Sequence, residues 1–219
     1  MVIQPIVEGK GELSAARELL TRLMVLAMRF DFQIARPIRQ NSSQLLTEEG
    51  IAHAVEIARQ TDNVAAILIL FDGDIDLERL DGSYTCFCPK LDLAPLLKSA
   101  KAAAAPIPCE IVVPYKEFET WLLAGLEGLK AAGKLIPEAV CPANLENIRG
   151  AKGRLSSMVA GGVYLPTAHQ ASFTNSFDLR LAYSRTRSFK KLMKVFSEFH
   201  AATGAPLVNW PPVEWQEQG

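Results

Sequence analysis

The chain has 219 residues, 49% of them hydrophobic, which suits one domain with a sizeable core and excludes wholesale disorder. The longest uncharged apolar stretch, around Val64–Phe71, is too short to span a bilayer, and Met1–Val7 lacks the basic and long apolar regions of a secretory signal. A soluble, cytoplasmic protein with no membrane partner is therefore expected, and its net charge of −1 argues against a chain that is basic overall.

Val2–Val7 predicts a first strand, in which Pro5 favours an edge or a bulge. Glu12–Phe30 has the three- and four-residue apolar spacing of a helix, carried by Leu13, Ala16, Leu19, Leu20, Leu23, Met24 and Ala27. Phe32–Ile38 reads as a short second strand. Thr47 is placed to cap a helix that carries Glu48 and Glu49 in its first turn. Ala65–Phe71 is continuously apolar, as expected of a strand buried on both faces in a parallel sheet.

Asp81–Cys88 is polar and irregular, and Leu91–Ala105 is helical. Cys109–Val113 is a further strand, ended by Pro114, and Glu117–Leu129 is helical. The alternation of strand and helix predicts an α/β fold with a parallel sheet flanked by helices. The character changes after about residue 134. Pro137–Ser157 reads as short helices and loops, and Ala168–Tyr183 and Ser188–Ala202 as two helices. The expected division is a core over 1–134, a helical appendage packed on it over 135–205, and a proline-rich tail over 206–219.

Ligands of open parallel sheets sit outside the carboxyl ends of the strands. Here those ends carry Glu8, then Asp72-Gly73-Asp74-Ile75-Asp76, then Glu117-Phe118-Glu119. Carboxylates gathered on one edge repel unless a cation joins them, and oxygen ligands suit magnesium, manganese or calcium. A turn or cap explains any one of these acids; their common edge beside glycines is what points to metal. Lys10, Lys152 and Arg154 are the basic candidates for steadying phosphate charge. The dense run Arg180–Lys194, with Arg187, Lys191 and Lys194, is the candidate nucleic-acid surface; a solvated helix face is the alternative.

Other chemistries find little support. Cys86 and Cys88 form only a C-x-C with no nearby histidine, against a zinc site, and Cys109 and Cys141 complete a cysteine count too sparse for a disulfide framework. Gly9-Lys10-Gly11 lacks the ending of a P-loop. His53, His169 and His200 have no ligand spacing, and Trp121 lies among leucines, as a core residue does. A phosphatase that uses Asp72 as nucleophile would need its Asp-x-Asp after the first strand, and here the motif follows the third.

The segments Ile6-Val7-Glu8-Gly9 and Ile69-Leu70-Phe71-Asp72-Gly73-Asp74-Ile75-Asp76 resemble the signature of the Toprim domain. Topoisomerases, primases, recombination-repair proteins and OLD-family nucleases share that domain. Glu117-Phe118-Glu119-Thr120-Trp121-Leu122-Leu123 and Arg187-Ser188-Phe189 resemble segments of standalone bacterial Toprim-like proteins, so the resemblance spans roughly residues 1–200.

The resemblance implies a Rossmann-like fold and a metal-dependent endonuclease holding Mg2+ or Mn2+, with two ions in reach. Glu8 would be a ligand or general acid/base, and Asp72 and Asp74 ligands; Lys10, beside Glu8 in the glycine-flanked loop, is a catalytic candidate on its charge alone, with a solvated side chain as the alternative. Asp76, Glu117 and Glu119 would be further ligands. It implies nucleic acid as substrate, DNA before RNA, and a separate ATPase as partner in defence against phage or plasmid DNA. A non-catalytic regulatory module that holds metal or nucleic acid beside such an ATPase is the alternative. Pro5 departs from the pattern. The lack of a primase module, or of room for a topoisomerase's tyrosine domain, argues against those identities.

Overall fold

A computed structural model describes residues 1–78 and 84–216. In chain order the strands are β1 (Val2–Val7), β2 (Gln33–Ile34), β3 (Ile38–Arg39), β4 (Val64–Leu70), β5 (Asp76–Glu78), β6 (Tyr84–Cys86) and β7 (Cys109–Val112). The helices of the first half are α1 (Glu12–Leu26), α2 (Ser42–Leu45), α3 (Glu48–Ala58) and α4 (Pro89–Ala104). They are followed by α5 (Glu119–Ala124), α6 (Leu126–Ala131), α7 (Ala151–Ser156), α8 (Pro166–Thr174), α9 (Leu179–Arg185), α10 (Arg187–Ala202) and α11 (Val213–Gln216).

The main sheet runs β2–β1–β4–β7, with β3 also paired to β1, and every one of these pairings is parallel. β4 is central, and its side chains alternate between two cores. Ala66, Leu68 and Leu70 pack with Ala16, Leu19 and Leu23 of α1, while Ile67, Ile69 and Phe71 pack with Val55 of α3 and Ala100 of α4. The period of two explains why the strand reads as an unbroken apolar run: both faces are covered by helices. The chain is an α/β protein with a mainly parallel sheet flanked by helices. No described helix is long and apolar enough to cross a membrane.

The C-terminal helices share the first of these cores. Leu155, Phe173, Phe189 and Phe196 belong to the same buried cluster as Ile3, Val7 and Leu70. Within the tail, Trp210 donates its indole N–H to the Met193 carbonyl at 2.8 Å, and Trp215 stacks near Tyr183.

Several local expectations change. β1 is an interior strand despite Pro5, and the expected second strand is two short pieces, β2 and β3. Odd-numbered residues of β1 turn their backbone toward those pieces: the Ile3 carbonyl accepts from the Ala35 N–H, and the Val7 carbonyl from the Gln40 N–H. Pro5, which has no N–H to give, therefore faces the gap between β2 and β3, where no ladder partner needs one. The buried Gln4 amide fills that gap, donating to the Pro5 carbonyl at 2.9 Å and the Arg36 carbonyl at 3.0 Å.

The first helix stops at Leu26 rather than Phe30, because Met28 takes a left-handed conformation (φ 52°). The Met28 and Arg29 N–H groups then close on the Val25 and Met24 carbonyls, the pattern of a Schellman cap. The Thr47 cap forms as expected, its hydroxyl accepting from the Gly50 N–H at 3.1 Å.

The expected helix over 117–129 is broken at Gly125. A Cβ there would lie 2.4 Å from the Asp178 carbonyl oxygen, so only glycine lets that backbone approach. The helix expected over 168–183 is likewise two, α8 and α9, and Asp178 caps the second through the Leu181 N–H at 2.9 Å. Within the stretch expected to be irregular, β6 pairs antiparallel with β5. Residues 81–83 of that stretch lie outside the described residues.

Gln4 offers a direct test of how Pro5 is accommodated. Its Oε1 also accepts from the Thr61 hydroxyl at 2.7 Å. The change Gln4→Leu should therefore strand buried polar groups and lower unfolding free energy by roughly 2–3 kcal/mol. Urea unfolding checks this; an unchanged midpoint would mean that water replaces the amide.

Candidate functional site

The carboxyl ends of β1, β4 and β7 meet at one edge of the sheet, and each leads directly into an acidic loop. Backbone hydrogen bonds fix how the acids are presented. Asp72 Oδ1 accepts from the Phe118 N–H at 2.8 Å, and the Asp72 N–H donates to Glu8 Oε2 at 3.3 Å. Glu12 Oε2 accepts from the N–H groups of Glu8 and Gly9, both at 3.2 Å. Glu119, in the first turn of α5, is 1% exposed, and neither of its carboxylate oxygens has a hydrogen-bond partner among the described residues.

These acids act on one another electrostatically. Burial, then the charges of Glu12, Glu119 and Glu8, push the Asp72 carboxyl well above its ordinary range. Burial raises Glu12 to about 7, against the lowering effect of the Gly9 N–H and with help from Glu8. Burial likewise raises Glu119, with Lys152 opposing. Burial alone would lower the Lys152 ammonium, but Glu119, Asp72, Glu117 and Glu12 overcome it and raise it. Lys152 is thus a cation of this cluster.

Tyr164 is 3% exposed, and burial followed by the Glu119 charge raises its phenol. The Tyr164 hydroxyl and Glu119 influence each other without a hydrogen bond of normal geometry. Buried, mutually repelling carboxyls of shifted proton affinity are what a functional site needs and what folding alone disfavours.

The expected site residues divide into groups. Glu8 and Asp72 meet through a hydrogen bond, and Glu12, Glu119 and the exposed Lys152 act on Asp72 through their charge. Asp74 and Asp76 turn elsewhere: Asp74 lies 3.9 Å from Lys116 Nζ and 3.4 Å from Arg149 Nε, and Asp76 lies 3.8 Å from the Arg149 guanidinium. Glu117 Oε2 accepts the Lys152 N–H at 2.7 Å, which makes it a cap for the first turn of α7. Lys10 is exposed and lines a separate cleft with Arg17 and Arg36; Arg154 is exposed.

Much of the basic run near α10 is paired with acids, while Lys190 lies over the Tyr183 ring. Arg187 binds Glu146 at 2.8 Å, Lys191 binds Glu110 at 3.2 Å, and Lys194 lies 3.6 Å from Glu198. Trp121 is core, fully buried between Phe118 and Phe189, with its N–H on the Ser188 hydroxyl at 2.9 Å.

Glu12 and Tyr164 were not anticipated. The polar Glu12 at the start of an otherwise apolar helical pattern was the available signal, and it reads equally well as an ordinary first-turn acid. Tyr164 had none, since it arrives from a distant loop. Among the described residues, no group of three or more His, Cys, Asp or Glu side chains stands at the spacing of a metal site. Several of the acids are instead committed to backbone N–H groups.

Comparison with family models, with curated proteins and with solved structures returns no match.

The Glu12 shift has a measurable consequence. The folded chain keeps a proton on Glu12 up to about pH 7, whereas the unfolded chain releases it near 4.5. Between these values the folded state binds more protons, so stability falls as pH rises. In buffer with chelator, the melting temperature should decline from about pH 4.5 to 7, and Glu12→Gln should flatten the decline. Parallel curves for the two proteins would remove Glu12 from the coupled cluster.

Proposed function

We propose that this chain is a divalent-metal-dependent nuclease of the Toprim type, hydrolysing phosphodiester bonds at the edge formed by Glu8, Glu12, Asp72 and Glu119. The observation that carries the reading is the Glu119 carboxylate: buried, without a hydrogen-bond partner among the described residues, and set among other carboxylates. A buried carboxylate without a hydrogen bond calls for more compensation than the charge of Lys152 supplies, since burial still raises its proton affinity.

The donor type suits a hard ion, and the described side chains would have to draw together from their present spacing to hold one. The set is all oxygen, it comes from three strand ends, and it matches Mg2+ or Mn2+ better than softer metals. Glu8, Asp72 and Glu119 would hold the ion, with Glu12 beside them. Asp74 and Asp76, which the resemblance also nominates, are less suited while Lys116 and Arg149 occupy them. When bound, such an ion polarises phosphate oxygens and makes water a stronger nucleophile at neutral pH.

The chain's own groups supply the remainder. The Lys152 ammonium, which feels the charges of Glu119 and Asp72, would offset charge on a phosphate oxygen. The Tyr164 hydroxyl keeps its proton and can donate it in a hydrogen bond to the same group. Glu12, with a proton affinity near neutrality, is matched to accepting a proton at Oε1, the oxygen left free by its backbone bonds. The preference for DNA, the ATPase partner and a role in defence rest on the sequence resemblance alone.

A second reading is favoured by Lys152, whose ammonium already neutralises part of the cluster: a regulatory module that binds without cleaving. Supercoiled plasmid incubated with Mg2+, Mn2+ or Ca2+, together with calorimetric titration of Mn2+, separates the two. Glu119→Gln and Asp72→Asn should each reduce cleavage by about 100-fold or more and weaken Mn2+ binding by about tenfold or more, with circular dichroism unchanged. Mn2+ binding without any cleavage by the wild type supports the regulatory reading. Wild-type Mn2+ affinity in both variants sinks the metal site.

A further inference from the structure

A second electrostatic feature lies beside the acidic edge. Lys10, Ser14, Arg17 and Thr21 follow one another at spacings of four, three and four residues, which sets them along one face as the chain enters and runs down α1. With Arg36, from the turn between β2 and β3, they line a cleft of about 570 Å³. The face opposite this stripe is the one α1 buries, through Ala16, Leu19, Leu20 and Leu23.

The cations of this cleft differ from those along α10 and beside Asp74. Lys10, Arg17 and Arg36 are exposed, and none makes a side-chain ion pair or hydrogen bond to another described residue. The acid of the lining, Glu18, acts on the neighbouring Arg22. By contrast, Arg185 forks onto Glu127 at 2.7 and 2.8 Å, Arg187 holds Glu146, Lys191 holds Glu110, and Arg149 faces Asp74 and Asp76. A polyanion arriving at those residues must first displace a carboxylate. At Lys10, Arg17 and Arg36 it meets cations free of one.

The spacing selects the kind of anion. Lys10 and Arg17 lie seven residues apart, roughly 10 Å along a helix axis, a spacing that lets each meet a different phosphate of one chain. The Ser14 hydroxyl between them is a donor suited to the same backbone oxygens, whereas the Thr21 hydroxyl is committed to the Arg17 carbonyl at 2.8 Å. The cleft is separate from the acidic site but adjoins it in the chain: Lys10 lies in the loop that carries Glu8 and leads to Glu12.

We infer that the cleft between the Lys10–Ser14–Arg17–Thr21 face of α1 and Arg36 is the track on which a nucleic-acid backbone lies as it enters the acidic site. The inference rests on the proposed nuclease function for what the track feeds. The contacts are to sugar–phosphate backbone, so the track reads no sequence.

The test is fluorescence anisotropy with a labelled DNA oligonucleotide, single-stranded and as a duplex, titrated across a range of salt in Ca2+ to suppress cleavage. The variant Lys10→Gln/Arg17→Gln/Arg36→Gln changes only exposed side chains, and its melting curve checks that it folds. It should bind about tenfold or more weakly near 0.1 M salt. Its dependence of log affinity on log salt should be shallower by about 2 on the single strand and roughly 3 on the duplex, as expected from three lost phosphate contacts.

The variant Arg187→Gln/Lys191→Gln/Lys194→Gln should stay within about twofold of wild type. Wild-type affinity and slope in the cleft variant overturn the track, as does transfer of the slope change to the α10 variant, or an absence of DNA binding by the wild type. Binding through the cleft with no plasmid cleavage overturns the nuclease function and leaves the track standing.

Discussion

Asp72 ties together the edge on which the site depends. One of its oxygens holds the Phe118 N–H, and its own N–H holds Glu8, so a single residue after β4 fixes the loops that follow β7 and β1. The position follows from the strand before it. β4 is covered on both faces, and the chain must leave the sheet where the apolar run ends. The first polar residue beyond Phe71 therefore lands at the boundary between core and solvent, close enough to neighbouring loops to be bonded by their backbone.

That placement has an electrostatic cost, and the distribution of cations shows how little of it is offset internally. Lys152 is brought in by α7, whose first turn is held by Glu117. Arg149 and Lys116 serve Asp74 and Asp76 instead. Glu12 and Asp72 are left with raised proton affinities, and Glu119 with no bonding partner among the described residues. A fold selected only for stability would replace such groups with apolar ones of similar size. Their retention beside an open basic cleft suits a site that receives a cation and a polyanion together.

The C-terminal helices matter to this arrangement beyond packing. They deliver Lys152 and Tyr164 to the acids, and they contribute Phe173, Phe189 and Phe196 to the core beneath α1. They also absorb much of the basic run near α10 into ion pairs with Glu110, Glu127 and Glu146. Exposed pairs of this kind add little stability one by one. They do hold side chains that would otherwise be free, and this separates the densest basic stretch of the sequence from the cations left available.

The sequence by itself determined the α/β alternation, the double-sided burial of β4, the Thr47 cap, and the delivery of Glu8, Asp72, Asp74, Asp76, Glu117 and Glu119 to one end of the sheet, without choosing among them. These follow from local rules: apolar periodicity sets the elements, and parallel strands deliver their ends to a common edge. Only the tertiary structure decided that Pro5 belongs to an interior strand, because the gap it needs lies in β2 and β3 and is filled by Gln4. Only the tertiary structure separated Asp74 from Asp72, brought Glu12 and Tyr164 to the acids, and set paired cations apart from free ones. Side-chain partners come from segments far away in the chain, as Lys152 and Arg149 do, and a charge's neighbours are fixed by packing rather than by its own place in the sequence.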